Sequence, residues 1–170
     1  MKYYINQLIK EGTEPFEINE TVDFSEVAQT HREIRRISPV KITGTGKLSG
    51  TEVIFDLHIS CDVVLPCALT LDDVNYHMEI DTIEYFTFKE DAKEEDYDFD
   101  MNIVKGPVIE LAPVIWQNIV VNIPLRVVSE HAYEKIKKEG ADYKIFTEEE
   151  FEKEKSIDPR FAILKDLLNK

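Results

Sequence analysis

The pattern of hydrophobic and polar positions predicts mostly β-structure in the first half of the chain. Residues 2–9 alternate weakly and residues 16–22 alternate clearly, so each segment is predicted to be a strand. The strongest β signal runs from residue 37 to residue 65. Within it, Ser49-Gly50 separates two β-rich runs, which is typical of a hairpin.

Helical patterns are shorter and lie mainly in the second half. Leu111, Ile115 and Ile119 recur at four-residue spacing, which predicts a widely buried helix over residues 113–122 that Pro124 ends. Near the end of the chain, Asp158 can cap a helix and Pro159 suits its first position. An apolar stripe follows, formed by Phe161, Leu164, Leu167 and Leu168. An amphipathic helix of this kind docks on its own domain or on a partner.

The remaining segments complete the layout. Residues 74–89 predict another strand or strand pair, and residues 23–28 a short capped helix. We expect residues 90–100 to form a mobile acidic loop, residues 133–138 a further helical turn or two, and residues 147–170 a helical tail. The chain is therefore expected to be a single domain over residues 1–170. Its predicted class is α+β, with a mainly antiparallel sheet and a few helices on one face or end.

Composition places the chain among ordinary globular proteins. It has 170 residues, of which 43% are hydrophobic and 32% charged. It has no apolar run of membrane-spanning length and does not begin like a signal peptide, so we expect a cytoplasmic protein without a membrane partner. Cys61 and Cys67 lie about 20 Å apart on an extended strand, too far for a disulfide, so both are expected to be buried free thiols.

The formal net charge of −14 bears on the choice of partner. A strongly anionic protein is repelled from nucleic acid at long range, so we expect no DNA partner and favour a basic protein over naked RNA. The charge alone could also serve only solubility. Two basic clusters stand out as candidates for local rRNA contact. The first contains His31, Arg32, Arg35, Arg36 and Lys41, and the second Lys135, Lys137 and Lys138. Two acidic runs, residues 90–100 and 148–154, are candidates for binding a basic protein.

Motifs for catalysis or metal binding are missing from the sequence. The alternating carboxylates from Asp96 lack the glycine and glutamate that a calcium loop needs. The histidines show no ligand spacing, and no nucleophile elbow is present. We therefore expect no catalytic residue, no metal and no cofactor. A pair formed by Cys67 and a histidine stays open, although a buried structural thiol is favoured.

Four segments in order resemble the bacterial YceD family. They are Ile5–Ile9, the Leu65–Val74 stretch around Pro66-Cys67, Val108–Arg126 with its Pro-Leu ending, and the Asp158-Pro159-Arg160-Phe161 tail. The resemblance implies a role in accumulation of the large-subunit ribosomal RNA. Many relatives carry a cysteine cluster of zinc-site character before the tail. Here residues 127–155 contain no cysteine, so a metal role is not carried over.

The resulting hypothesis is a non-enzymatic factor in large ribosomal subunit assembly that binds a basic ribosomal protein or a pre-ribosomal particle. Two recognition surfaces are expected. One is the tail, with Asp158, Pro159, Arg160, Phe161 and Leu164. The other is the turn after the long strand, with Pro66, Cys67, Leu69 and Leu71. Two alternatives remain: a small-molecule or cation-binding enzyme around Cys67, and an acidic β-rich interaction module unrelated to ribosomes.

Overall fold

The computed structural model describes residues 1–97, 100–135, 146 and 151. The chain divides into two units, Met1–Ser129 and Glu130–Lys170. The first unit contains, in chain order, β1 (Lys2–Tyr4), α1 (Ile5–Glu11), β2 (Phe16–Val22), α2 (Ser25–Ala28), β3 (Arg36–Ile37), β4 (Val40–Ser49), β5 (Glu52–Pro66), β6 (Asp73–Thr87), β7 (Met101–Ile103), β8 (Val108–Glu110) and α3 (Ala112–Val121). In the second unit, α4 comprises Ala132–Lys135.

The main sheet is built around the two long strands β5 and β6. Its strand order is β2-β4-β5-β6-β7, and the short β3 also pairs with β5. All pairs are antiparallel except β6–β7, which is parallel. The β5–β6 pairing runs without interruption from Glu52↔Thr87 to Pro66↔Asp73. The predicted residues 74–89 therefore form one strand, with its end at Thr87.

The predicted hairpin between β4 and β5 is present. Its turn lies at Gly50, whose φ of +63° is a backbone conformation that glycine adopts without steric cost. Gly46 has a different role, because the ring of Phe16 on β2 occupies the space that a Cβ at this position would need. A residue with a side chain at position 46 would displace the Phe16 ring.

One face of the main sheet forms the core. The odd-numbered residues of β5 from Val53 to Leu65 are all buried, whereas the even-numbered ones are partly or fully exposed. The same core cluster includes Ile5 and Leu8 of α1, together with Ile115 and Ile119 of α3. Apolar side chains of the helices thus pack in one cluster with the odd-numbered residues of β5, and the even-numbered residues lie on the other face.

Helix α3 lies almost where the four-residue spacing predicts it. Ile115 and Ile119 have no solvent exposure. Trp116 stacks on Phe24, just before α2, with ring centroids 5.7 Å apart. The short helix α2 was also expected, and the Asp23 carboxylate accepts a hydrogen bond of 2.8 Å from the Ser25 N–H at its start.

The amino terminus corrects the prediction of one strand over residues 2–9. Strand β1 ends at Tyr4, and α1 follows directly. Ile5 and Leu8 are buried at three-residue spacing, which only a helix places on one face. Tyr3 pairs with Ile109 in a separate two-stranded sheet with β8. This partner lies about a hundred residues away, so the local pattern could not indicate it.

The α+β class with a mainly antiparallel sheet is confirmed. Helix α4 covers the start of the predicted helical turn at 133–138, and residues 136–138 lie outside the described residues. The expected helical tail at 147–170 lies outside them as well, apart from Phe151. Within the described part of the chain, no helix has the length and apolar character to cross a membrane.

Candidate functional site

The loop of residues 67–72, between β5 and β6, has a tightly hydrogen-bonded backbone. The Cys67 N–H donates to the Asp72 carbonyl at 2.8 Å, and the Leu71 N–H donates to the Cys67 carbonyl at 2.9 Å. Leu71 has a φ of +62°, the one left-handed non-glycine residue in the described ranges. Such a conformation is strained for leucine, so the surrounding contacts must hold it. The Leu71 side chain is 67% exposed as a result.

Two arginines hold this 67–72 loop from the side of β3. Arg35 Nη2 donates to the Leu71 carbonyl at 2.7 Å, and Arg35 Nη1 forms an ion pair with the Asp73 carboxylate. Arg36 reaches the other oxygen of Asp73 at 3.3 Å. Arg35 and Arg36 of the first basic cluster are therefore in direct contact with the Pro66–Asp73 turn, which the sequence identified separately.

Cys67 lies at the base of the loop. Its side chain has no solvent exposure, and no disulfide involves it. The Ser129 N–H donates a hydrogen bond of 3.4 Å to its sulfur, and the Thr70 side chain also hydrogen-bonds to it. The same Thr70 hydroxyl lies 3.0 Å from an oxygen of the Asp72 carboxylate. The bonds to the sulfur favour the thiolate and lower the pKa of Cys67 to about 6. By contrast, burial raises the pKa of Cys61 to about 11. Both thiols are free and buried, as expected.

The segment that follows α3 supports the loop from another side. The Ala68 N–H donates to the Val127 carbonyl at 2.8 Å. Leu125, on the same segment, is fully exposed. A shallow groove of about 180 Å³ lies between the two chain segments. It is lined by Glu33, Leu65, Pro66, Ala68, Ile123, Pro124, Leu125, Arg126 and Val127.

The structure places the other sequence-predicted residues around this site. Leu69 lies half-buried within the loop, and Pro66 is the last residue of β5. Arg32 is exposed in the chain before β3. Lys41 is exposed on β4 and pairs with Ser60 of β5. Arg36 on β3 pairs with Val64, which lies four residues further along β5. Arg36 and Lys41 thus lie on the same face of the sheet.

The predicted tail residues lie outside the described residues. This applies to Asp158, Pro159, Arg160, Phe161 and Leu164. In the part of the chain that the structure describes, no three His, Cys, Asp or Glu side chains are grouped to hold a metal ion. The groups that hydrogen-bond to the Cys67 sulfur belong to Leu69, Thr70 and Ser129, and no histidine is among them. The Cys67–histidine pair that the sequence left open is therefore not formed in this range.

A second polar arrangement was not identified from the sequence. On the exposed face of β5 and β6, His58 bonds to Asp81 at 2.6 Å. Four residues further along the same pair of strands, His77 contacts Asp62 at 2.8 Å and Glu79 at 3.3 Å. The two carboxylates raise the pKa of His77, chiefly through its hydrogen bond to Asp62. Alternation placed residues 77, 79 and 81 on one face, but only the strand register brings them opposite β5.

Comparison with known proteins identifies the family of this chain. Residues 55–168 match the family described as "Large ribosomal RNA subunit accumulation protein YceD". The matched range contains most of β5, together with β6, the 67–72 loop and α3. A relative from Bacillus subtilis (strain 168), "Uncharacterized protein YlbN", is 38% identical over 170 residues, covering 99% of this chain and 96% of the relative. No solved structure matches the chain. The chain belongs to the YceD family.

Proposed function

We propose that this protein is a non-enzymatic factor that supports accumulation of the large-subunit ribosomal RNA during assembly of the large ribosomal subunit. The family description supports the coarse role. The observation that carries the mechanism is the 67–72 loop, which presents Leu71 to solvent in a strained conformation braced by Arg35. An exposed apolar side chain on a rigid support loses little entropy on binding, so it suits a recognition surface.

The partner we propose is a basic ribosomal protein, free or within a pre-ribosomal particle. The net charge of −14 favours such a partner, since it attracts cations and repels naked RNA at long range. On this proposal the 67–72 loop and Leu125 contact the partner. The tail residues Asp158 to Leu164 provide a second recognition element. A factor with this role acts in the cytoplasm, where ribosomes are assembled.

Local contact with rRNA is a second part of the proposal. Arg35 is already engaged by Asp73 and Leu71, so its guanidinium serves mainly to hold the loop. Arg32 and Lys41 are exposed and form no ion pair within the described ranges, and Arg36 makes a single long contact at 3.3 Å. These three side chains are available for phosphate, because arginine and lysine bind phosphate through charged N–H donors.

The enzyme alternative draws support from one observation, the lowered pKa of Cys67. A thiolate is the reactive form of cysteine. Catalysis also needs access for substrate, and the Cys67 side chain has none. We therefore propose that the hydrogen bonds to the sulfur hold the loop and its link to Ser129.

The proposed role is tested by sucrose-gradient sedimentation of ribosomes from cells that lack the protein. We expect a deficit of large subunits, with the tagged protein sedimenting with large-subunit precursors in complemented cells. A normal profile, with the protein only at the top of the gradient, would contradict the ribosomal role. It would favour a protein-interaction module unrelated to ribosomes.

A matched pair of variants tests the loop in the same experiment. Leu71→Asn removes the exposed apolar side chain, and asparagine tolerates a positive φ, so the loop should keep its shape. Ile9→Asn removes an exposed apolar side chain from α1, which is 53% exposed. Leu71→Asn should fail to restore large subunits and should leave the precursor fractions, while Ile9→Asn should complement. Full complementation by both variants would exclude the loop as the recognition surface.

A further inference from the structure

Strand β6 is much longer than the strand that covers its outer edge. It runs over Asp73–Thr87, whereas β7 pairs only with Tyr85, Phe86 and Thr87. Among the described residues, no strand pairs with the remaining stretch of this edge. A long open edge presents a row of backbone donors and acceptors to any strand that can reach it.

The register shows which residues carry these groups. On β5, the carbonyls of Asp62 and Val64 accept bonds from Ser38 and Arg35 on the β3 side, so the even-numbered residues of β5 turn their backbone groups away from β6. The odd-numbered residues bond to their partners on β6, which are even-numbered. The odd-numbered residues of β6 therefore point their N–H and C=O groups to the open edge. The Tyr85 and Thr87 carbonyls fit this rule, because they accept bonds from Asn102 and Val104.

The open edge is also the wall of a groove. Helix α3 lies along it, and Asn118 of α3 donates to the Glu84 carboxylate at 2.7 Å. Two adjoining depressions of about 550 Å³ and 360 Å³ follow the strand. Both combine residues of β6 with residues of α3 or its end, from Val114 to Asn122. An extended segment lying between an edge strand and a helix is a common mode of peptide binding.

The two sides of this groove differ in chemistry. Helix α3 contains no charged residue, and its Val121 is 75% exposed, so the side toward the helix accepts apolar or small side chains. The exception is the end beyond Ile83, where the Glu84 and Asp100 carboxylates also line the groove. On the exposed sheet face, Glu79 and Asp81 project from the open strand. A strand added here would place alternate side chains on these two sides, basic ones beside the carboxylates and uncharged ones toward α3.

We propose that the edge of β6 from Asn75 to Ile83 binds an extended segment of a basic partner protein by strand addition. The segment alternates lysine or arginine with uncharged residues. This inference rests on the proposed function and identifies where a basic ribosomal protein would bind. A second copy of the chain is disfavoured as the occupant, because antiparallel pairing of two such edges brings their Glu79 and Asp81 carboxylates together.

Amide hydrogen exchange followed by NMR on the full chain tests the open edge directly. In the free protein, the amides of His77, Glu79, Asp81 and Ile83 should exchange rapidly, whereas those of Met78, Ile80 and Thr82 should be protected by β5. Equal protection of both sets would overturn the proposal, since the edge would then already be paired.

The bound state is tested with a synthetic peptide that alternates lysine and valine and matches the length of the open edge. Its addition should protect the odd-numbered amides and leave the even-numbered ones unchanged. A peptide with glutamate in place of lysine should give no protection. Absence of protection at millimolar lysine peptide, or protection confined to another surface, would exclude strand addition here.

Two substitutions at one position separate backbone pairing from charge. Glu79→Ala and Glu79→Pro both remove the carboxylate and its contact with His77, but only Glu79→Pro also removes the N–H that faces the open edge. Both variants should melt at similar temperatures. Glu79→Pro should bind the lysine–valine peptide at least about ten-fold more weakly than Glu79→Ala. Equal affinities would show that no backbone bond forms at this edge.

In cells, the same pair distinguishes failure of this inference from failure of the proposed function. If Glu79→Pro fails to restore large subunits and Glu79→Ala restores them, strand addition is supported. If both restore them while deletion still causes the deficit, the ribosomal role stands and the edge is excluded. A deletion without any deficit would reject the proposed function itself.

Discussion

Cys67 combines complete burial with a thiol pKa of about 6. The cause is local, because the Thr70 side chain and the Ser129 N–H both hydrogen-bond to its sulfur. Burial alone would act in the opposite direction, as it does at Cys61. The Cys67 sulfur therefore accepts hydrogen bonds that link the 67–72 loop to the segment after α3.

Removing the Thr70 hydroxyl should raise the pKa of Cys67. Thr70→Val keeps the side-chain shape and removes the hydrogen bond that lowers the pKa of Cys67 most. The thiolate absorbance near 240 nm, titrated in a Cys61→Ser background, reports Cys67 alone. We expect the transition near pH 6 to move toward the ordinary thiol range of about 8.5. An unmoved transition would show that Thr70 does not stabilise the thiolate.

The low pKa of Cys67 also predicts how stability depends on pH. Because the folded-state pKa is below the unfolded one, the thiolate's contribution is fully present above the unfolded pKa and is lost as the pH falls through about 6. The difference in unfolding free energy between the protein and Cys67→Ser should therefore grow between about pH 6 and pH 8.5. Urea unfolding at several pH values measures it, with Cys61→Ser as the control that should show no such growth.

His77 offers a second residue-scale prediction. Asp62 and Glu79 raise its pKa, so the imidazolium is favoured and its stabilising effect is lost as the pH rises through the folded-state pKa. An NMR titration should give a pKa above the ordinary value of about 6.5. Asp62→Asn should lower it more than Glu79→Gln, since the hydrogen bond to Asp62 is the largest cause. The reverse order would contradict the geometry described here.

At the scale of elements, the packing of the Phe16 ring of β2 over β4 depends on Gly46. A Cβ at this position would meet the ring of Phe16. Gly46→Ala should lower the unfolding free energy by about 1–3 kcal/mol, as expected for overpacking. The exposed neighbour Thr45 provides the control, because Thr45→Ala should cost less. In a Phe16→Leu background the cost of Gly46→Ala should shrink, and an unchanged cost would mean that the ring is not the obstacle.

The elements that sequence analysis predicted correctly are those whose signals are local. The β4–β5 hairpin follows from Ser49-Gly50, and α3 from the spacing of Ile115 and Ile119. Helix α1 was missed because its seven residues follow a strand directly, so two short patterns merged into one. The β1–β8 pairing depends on contacts between distant parts of the chain, which periodicity does not encode.

In the candidate site, too, local signals could be predicted from the sequence, and contacts between distant residues could not. Leu71 and the arginines could be singled out by residue type, but the contact of Arg35 with Asp73 joins residues 38 positions apart. The open edge of β6 follows from the short length of β7 and from the register with β5. Neither property is visible in a local pattern. Sequence therefore indicated which residues to consider, and the fold determined which of them act together.

At the scale of the whole molecule, two kinds of electrostatic effect must be separated. The net charge of −14 attracts any basic partner at long range and mainly raises the association rate. Carboxylates in direct contact with a bound segment instead slow its dissociation. The two effects also differ in their response to salt, because exposed charges more than about 8–10 Å apart are screened at physiological ionic strength.

A pair of double variants with the same change in net charge distinguishes these effects. Glu79→Gln with Asp81→Asn removes two negative charges from the open edge, and Glu90→Gln with Asp91→Asn removes two from the exposed loop after β6. Both should reduce the association rate of the lysine–valine peptide slightly and equally. Only the edge variant should accelerate dissociation, giving at least about a ten-fold loss of affinity. Surface plasmon resonance at two salt concentrations measures the association and dissociation rates. Equal affinities of the two variants for the peptide would show that the carboxylates act only through the net charge of the protein.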